Sequence, residues 1–202
     1  MKKYPFRDHQ ITRSCETHYR DYHQYLSDLK RDFSNRCCYC NISDKTLGTT
    51  PFQIDHFIPK AKFVGTRDEL LTQYNNLVLS CPKCNRSKGS QYTGNIHSDT
   101  IENSLFYNPD EVDYNTVFYR NELGGISSDD DKGKDMIKRL GLYRTFHHYA
   151  WLLEKIDCVC EVLENQAEST DDATSARIKE LHFQLSKWQR KTRANFEAAY
   201  RT

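Results

Sequence analysis

Two Cys-x-x-Cys pairs constrain the fold of this chain more than any other feature: Cys37 with Cys40, and Cys81 with Cys84. A two-residue spacer lets one tight turn present two sulfur atoms, and zinc accepts four thiolates in a tetrahedron. Two such turns close a site that has no open coordination position. We therefore predict a structural zinc site formed by these four cysteines, with disulfide bonds or chance spacing as the alternatives.

Cys38 offers a second register for the first pair, because the chain reads Cys-Cys-Tyr-Cys at this point. Pairing Cys38 with Cys40 leaves a spacer of one residue instead of the usual two. We therefore assign Cys37 as the ligand and Cys38 as a bystander. The remaining cysteines have no partner at matching spacing: Cys15, Cys158 and Cys160.

The composition of the 202-residue chain, with 37% hydrophobic and 28% charged residues, suits one domain with appendages or two small domains. The longest apolar run is too short to span a membrane. No apolar signal core follows the Met-Lys-Lys start, so we expect a cytoplasmic protein. In that compartment, paired Cys-x-x-Cys spacing favours metal binding over disulfide bonds.

Charged residues of the two signs are segregated along the chain, although the net charge is only +1. Lys and Arg dominate residues 60–88 and 177–202, whereas Asp and Glu dominate residues 99–131. This distribution predicts a basic surface near the cysteine motif, with ordinary solvated faces as the alternative.

Hydrophobic periodicity predicts a mixture of helices and short strands. Helices are expected over residues 14–33 with Ser14 as the cap, over 132–140 with Gly141 as the C-terminal cap, over 143–165, and around Ile178, Leu181, Leu185 and Trp188. The last two are expected to form an antiparallel hairpin after a polar break at residues 169–172. Strands are expected at 51–57, 77–79 and, within an irregular stretch, 116–119, with a loop over 60–72.

Three further segments complete the motif that the first cysteine pair begins. They are Asp55-His56, Asn76-Leu77, and Cys81-Pro82-Lys83-Cys84 continued by Asn85-Arg86-Ser87-Lys88. This combination covers about residues 36–89 and resembles the HNH nuclease family. The resemblance is specific because four elements occur in the right order at compatible spacing.

The resemblance implies a ββα-metal finger, in which two strands and a short helix surround one catalytic divalent cation. It also implies that His56 is the general base that deprotonates the attacking water. Asp55 and Asn85 would bind the cation, and Asn76 would brace the loop and help to orient the base. Asp55 and His56 can share one site if the strand ends or twists there, which Pro59 favours.

The chemistry of phosphodiester hydrolysis agrees with these assignments, because a neutral imidazole accepts a proton near pH 7. Asn85 stands where the family name has a His, and its oxygen favours Mg²⁺ or Mn²⁺ over zinc as the catalytic ion. Lys88 lies one helical turn after Asn85, and we predict that Lys88 and Arg86 bind phosphate.

A second resemblance extends over most of the chain and concerns the HNH subunits of Septu-type anti-phage systems and their retron-associated relatives. It depends on Ile54-Asp55-His56-Phe57-Ile58-Pro59-Lys60-Ala61, Tyr74-Asn75-Asn76-Leu77, Leu105-Phe106-Tyr107-Asn108-Pro109, Gly124-Gly125-Ile126 and Arg139-Leu140-Gly141-Leu142. It implies DNA as the substrate, an ATPase partner subunit, and activity that is restrained until infection.

The sequence thus predicts an α+β protein that acts as a metal-dependent DNA endonuclease. Its expected parts are an N-terminal helical segment (1–35), an HNH finger (36–95), an acidic irregular and strand segment (96–131), and a C-terminal helical region (132–202). The apolar stripe of that last region would pack in a core or dock onto a partner. The rival functions are a zinc-ribbon module that binds nucleic acid without cutting it, and a structural subunit with a degenerate finger.

Overall fold

The computed structural model describes residues 2–167 and 172–201, which fall into two compact units. One unit comprises the chain up to Glu122 together with Ile126–Tyr143; the other comprises Leu123–Gly125 and the chain from Arg144 onward. The elements of the first unit are β1 (Tyr4–Pro5), α1 (Leu26–Asp32), α2 (Asp44–Leu47), β2 (Gln53–His56), α3 (Lys60–Phe63), β3 (Leu77–Ser80), α4 (Pro82–Lys88), α5 (Tyr114–Val117), β4 (Tyr119–Arg120), β5 (Ile126–Ser127) and α6 (Asp131–Leu140). The second unit contains α7 (Phe146–Ala167) and α8 (Asp172–Arg201).

The centre of the first unit is an antiparallel hairpin of β2 and β3, followed directly by α4. All four residues of β3 are buried, and α1 packs against this strand. Strand β2 lies within the predicted strand over residues 51–57 and ends at His56, three residues before Pro59. The core around the hairpin contains Leu29, Phe33, Phe57, Phe63, Leu77, Val78 and Leu79. This ββα arrangement, with its mixture of helices and small sheets, confirms the predicted fold class.

A second, three-stranded sheet has the order β1-β4-β5 and is antiparallel throughout. Helix α6 follows it and begins where the Asp130 side chain accepts a hydrogen bond from the Gly133 amide. The helix ends at Gly141, whose left-handed conformation (φ 66°) closes the last turn. Both the predicted helix and its glycine cap are confirmed.

The predicted helix over residues 14–33 is wrong in its first half. Regular structure begins with a 3₁₀ turn at Tyr22–Tyr25 and continues as α1. Ser14 caps no helix; its amide and hydroxyl both donate to Asp32, 18 residues further on. Tyr19 and Tyr22, the first members of the hydrophobic pattern that predicted this helix, make tertiary contacts instead: the ring of Tyr19 packs on Tyr25, and the ring of Tyr22 packs on His56.

Two other predicted elements differ from the structure. Thr116 and Val117 belong to α5, where Asp113 caps the helix by accepting from the Asn115 amide, so the strand there is limited to β4. The predicted loop over residues 60–72 contains α3 and a 3₁₀ turn at Asp68–Leu71. Both differences involve single helical turns, which are too short to leave a periodic pattern in the sequence.

Helices α7 and α8 form the predicted antiparallel hairpin. Residues further along α8 contact residues earlier in α7: the Ser175 hydroxyl donates to the Ala167 carbonyl, and the Gln189 side chain donates to Asp157 at 2.7 Å. Its buried side chains include Ala150, Leu153, Cys160, Ile178 and Phe196. Most of the predicted polar break lies outside the described residues.

The predicted apolar stripes of the hairpin are only partly buried. Leu181 and Trp188 are exposed although the predicted spacing assigned both to a stripe. A stripe predicted from spacing alone is wider than the face that one antiparallel neighbour covers. None of the helices in the described part of the chain has the length and apolarity to cross a membrane.

Candidate functional site

Four buried cysteines, Cys37, Cys40, Cys81 and Cys84, form a cluster in which all Sγ atoms lie within 4.8 Å of one another. The Sγ atoms of Cys40 and Cys81 are 3.8 Å apart. A tetrahedral zinc with Zn–S bonds of about 2.3 Å needs sulfur atoms about 3.8 Å apart. The set is thus positioned to hold a metal ion and is consistent with zinc; it contains the four predicted ligands and not Cys38.

Two tight turns present these thiols. In the first, the Asn41 amide donates to the Cys37 carbonyl while Asn41 takes a left-handed conformation (φ 63°), which Asn tolerates better than most residues. In the second, Cys81 is the N-cap of α4, with Pro82 at the first helical position and the Cys84 amide directed at the Cys81 sulfur. Helix α4 therefore begins inside the metal cluster.

Two buried arginines hold the first turn from outside, and the sequence analysis missed both. Arg7 donates to the Cys38 carbonyl at 2.8 Å, and Arg120 donates to the Cys40 carbonyl at 3.0 Å. Four thiolates around a divalent ion carry a net charge of −2, which these guanidinium groups would partly balance. Both residues are remote from the cysteines in sequence, so no local pattern marks them.

A cleft of about 320 Å³ lies between the end of β2 and helix α4. Asp55, His56 and Asn85 line it, so the fold brings together three of the predicted site residues. Lys60 and Ser90 lie along the same walls. The cleft is therefore where the predicted chemistry would take place.

His56 is held at the edge of the cleft by its Nε2 atom, which lies 3.0 Å from the Leu71 carbonyl oxygen. Because a carbonyl only accepts, Nε2 carries the proton and Nδ1 carries the lone pair. Burial lowers the pKa of His56 to about 4, so the ring is neutral at neutral pH. The imidazole therefore has the tautomer and the charge state that a proton acceptor requires.

Asn76 fixes the loop that supplies this carbonyl. Its fully buried amide accepts a hydrogen bond from the Ile58 amide at 2.8 Å and donates to the Leu70 carbonyl at 3.0 Å. Leu71, the partner of His56, is the next residue. This arrangement supports the predicted role of Asn76 as a brace that helps to orient the base.

Both oxygens of the Asp55 carboxylate accept hydrogen bonds. Oδ2 accepts from the Tyr39 hydroxyl at 2.7 Å, and Oδ1 accepts from Lys88 Nζ at 3.0 Å. Burial raises the pKa of Asp55, while the charge of Lys88 and the Tyr39 hydrogen bond oppose that rise. Because Tyr39 lies between Cys37 and Cys40, the cysteine turn itself holds the carboxylate in place.

Lys88 does not occupy the position that a phosphate-binding residue needs. Its side chain is 0% exposed, and Nζ also donates to the His56 carbonyl at 2.7 Å. The predicted phosphate contact does not fit this burial, because Nζ already donates to both Asp55 Oδ1 and the His56 carbonyl. Arg86, the other predicted phosphate ligand, is exposed on α4 but does not line the cleft.

Asn85 projects from the first turns of α4, and its amide nitrogen donates to Gln53 Oε1 at 2.8 Å. Since nitrogen is the atom used there, the amide oxygen is the atom that can bind a cation. Asp55 and Asn85 thus bring oxygen donors, the ligands that Mg²⁺ and Mn²⁺ prefer, to one cleft. Each Asp55 oxygen accepts one hydrogen bond and keeps a second lone pair, so these residues can offer oxygen ligands to a hard divalent ion.

Replacing Tyr39 by Phe is expected to lower the free energy of unfolding by about 1.5–3 kcal/mol, the usual worth of a hydrogen bond to a charged group. The change removes only the hydroxyl that donates to buried Asp55. Tyr143→Phe is the matched control, because this side chain is 62% exposed. Urea denaturation of both variants measures the difference, and equal stabilities would show that the Asp55 contact contributes nothing.

Residues 37–91 match the model of the HNH endonuclease family. The matched segment contains both cysteine pairs and the cleft residues His56, Asp55 and Asn85. No curated protein and no solved structure matches the chain significantly. The chain therefore carries an HNH domain at residues 37–91, which supports a nuclease-type function.

Proposed function

We propose that this protein is a metal-dependent DNA endonuclease that hydrolyses phosphodiester bonds. The observation that carries the proposal is the position of His56. Its Nδ1 lone pair belongs to a neutral ring in the same cleft as Asp55 and Asn85, inside the segment that matches the HNH family. A zinc-binding module without catalytic function has no need for this combination.

In this proposal His56 Nδ1 takes a proton from the attacking water, while the Leu71 carbonyl keeps Nε2 protonated and the ring oriented. Asp55 and Asn85 hold Mg²⁺ or Mn²⁺, which when bound stabilises charge on the phosphate and the leaving oxygen. Tyr39 and Lys88 fix the Asp55 carboxylate, and Asn76 fixes the loop behind the base. The four cysteines hold zinc as a purely structural ion.

We further propose that the protein is the nuclease of a bacterial anti-phage complex with an ATPase partner. The sequence resemblance to Septu-type and retron-associated subunits supports this role. Two exposed apolar side chains of α8, Leu181 and Trp188, are seven residues apart and so lie on one face of the helix, where they offer a surface for such a subunit. Co-expression with an ATPase subunit of a Septu-type system, followed by size-exclusion chromatography, tests the association.

Replacing His56 by Ala is expected to reduce plasmid cleavage about 10²–10⁴-fold, because positioned general-base catalysis supplies that much. The wild type is assayed with Mg²⁺ or Mn²⁺ and again with the cation omitted. Omission is preferable to a chelator, which would also strip the cysteine site. His97→Ala is the matched control, since His97 is exposed and outside the cleft.

The outcome decides between the candidate functions. Cleavage that needs the added cation and is lost only in the His56 variant supports the endonuclease. DNA binding by the wild type without cleavage, both alone and with the ATPase subunit, would instead support the non-catalytic zinc-ribbon module. Equal cleavage by the two His variants would assign the activity to another protein or another base.

A further inference from the structure

Lys60 places a positively charged side chain at the cleft. The sequence had predicted Lys88 for this phosphate-binding role. Lys60 is the first residue of α3, is exposed, and lines the cleft together with His56 and Asn85. Among the described residues that form the walls of the cleft, it is the only Lys or Arg. A phosphodiester bound there would therefore meet Lys60, whereas Lys88 is fully buried beneath Asp55.

Tyr22 connects Lys60 to the proposed base. The Lys60 ammonium lies 3.3 Å from the Tyr22 hydroxyl and 5.1 Å from the centre of its ring. The same ring meets the His56 imidazole in an edge-to-face contact, with the ring centres 4.8 Å apart. Tyr22 thus contacts both the Lys60 ammonium group and the His56 ring, and these contacts keep the two side chains close together.

Tyr22 is itself held in place by its neighbours. It begins the 3₁₀ turn that Asp21 caps by accepting from the His23 amide. Three residues later, the buried ring of Tyr25 packs against Tyr74 at 4.9 Å. The contact between Tyr22 and His56 therefore depends on the segment before the cysteines, which lies outside the part of the chain that matches the HNH family.

The positive charge of Lys60 suits the charge that develops during the reaction. Hydrolysis of a phosphodiester adds negative charge to the phosphate as the transition state forms, and a positioned cation stabilises that charge. Lys60 and His56 line the same cleft and contact the same tyrosine ring. A cation close to the base is therefore also close to the phosphate that the activated water attacks.

We propose that Lys60 binds the phosphate attacked during hydrolysis and that Tyr22 positions its ammonium group. This inference depends on the proposed endonuclease function and adds a substrate-contacting residue that the motif does not contain. Lys60 is the residue that touches substrate, and Tyr22 acts through it.

The test compares Lys60→Ala with Lys62→Ala. Lys62 is also an exposed lysine on the same helical turn, and it does not line the cleft. Removing a group that stabilises transition-state charge costs about 10²-fold in rate, so single-turnover cleavage by Lys60→Ala is expected to fall by about that factor. Lys62→Ala should stay within about twofold of the wild type, and Lys60→Arg should recover most of the activity because it restores the charge.

A binding measurement separates this inference from the endonuclease proposal. Fluorescence anisotropy of a short DNA duplex is measured with Ca²⁺ at several salt concentrations. Loss of one phosphate contact lowers the slope of log K against log [salt] by about 0.9. We expect that decrease for Lys60→Ala and not for Lys62→Ala or Tyr22→Phe.

The two proposals fail in different ways. If the wild type cleaves DNA and the two Lys→Ala variants cleave equally, the role of Lys60 is overturned and the endonuclease stands. If the wild type binds but never cleaves, the endonuclease fails, and the salt slopes still decide whether Lys60 contacts phosphate. Equal slopes for the two lysine variants would overturn the inference in either case.

Discussion

Replacing Cys81 by Ser is expected to abolish metal binding and unfold the first unit, whereas replacing Cys38 by Ser should leave both intact. Structural zinc in small modules contributes about 10–16 kcal/mol of apparent binding free energy, which becomes folding free energy when the site forms only in the folded state. That exceeds the roughly 5–15 kcal/mol by which a typical domain is stable. Cys81 matters doubly here, because its sulfur also caps α4.

Metal content and secondary structure together check this expectation. Zinc is quantified after release from the purified protein, and far-ultraviolet circular dichroism reports folding. Cys38 is a demanding control, since it is buried, neighbours Cys37 and remains outside the cluster. Zinc lost from the Cys38 variant and retained in the Cys81 variant would show that the assigned register is incorrect.

The hairpin of β2 and β3 and the helix after it could be predicted because their signals are local. The spacing of Cys81 and Cys84, the pair Asp55-His56 and the amide at Asn85 all lie within short segments whose chemistry limits their geometry. The left-handed conformation of Gly141 could be predicted for the same reason, because only the adjacent helical turn determines it. Signals of this kind need no knowledge of the rest of the fold.

The contacts that surround the site could not be predicted, because they join residues far apart in the chain. Arg7 and Arg120 reach the first cysteine turn from segments that carry no motif. Ser14 resembles a helix cap in sequence but binds Asp32 instead. Spacing placed Lys88 one turn after Asn85 and hence on the same side of the helix. It could not reveal that the side chain is buried and donates to Asp55.

Replacing Lys88 by Met is expected to destabilise the protein by about 3–5 kcal/mol, the usual cost of leaving one member of a buried ion pair without its partner. Met keeps much of the volume of the side chain, so the loss reflects the charge and not a cavity. Lys88 Nζ donates to both Asp55 Oδ1 and the His56 carbonyl, and both acceptors are buried. Arg86→Met, on the exposed side of the same helix, should change stability by no more than about 0.5 kcal/mol.

The pH dependence of this loss identifies Asp55 as its cause. Burial already raises the pKa of Asp55, and without Lys88 the pKa rises further. When a carboxyl has a higher pKa in the folded state than in the unfolded state, the protein becomes less stable as the pH rises from the unfolded-state pKa towards the folded-state pKa. The deficit of the Lys88→Met variant relative to wild type should therefore be large at pH 7 and smaller near pH 4, where Asp55 is protonated more readily in both states.

A double variant, Lys88→Met with Asp55→Asn, completes the argument because it removes both charges of the pair. If the cost of Lys88→Met comes from an unpaired carboxylate, adding Asp55→Asn should recover a large part of the lost free energy of unfolding. Urea denaturation of the four proteins in the cycle gives the coupling between the two side chains. A double variant as unstable as Lys88→Met alone would mean that the bond from Nζ to the His56 carbonyl, and not the ion pair, holds α4 against β2.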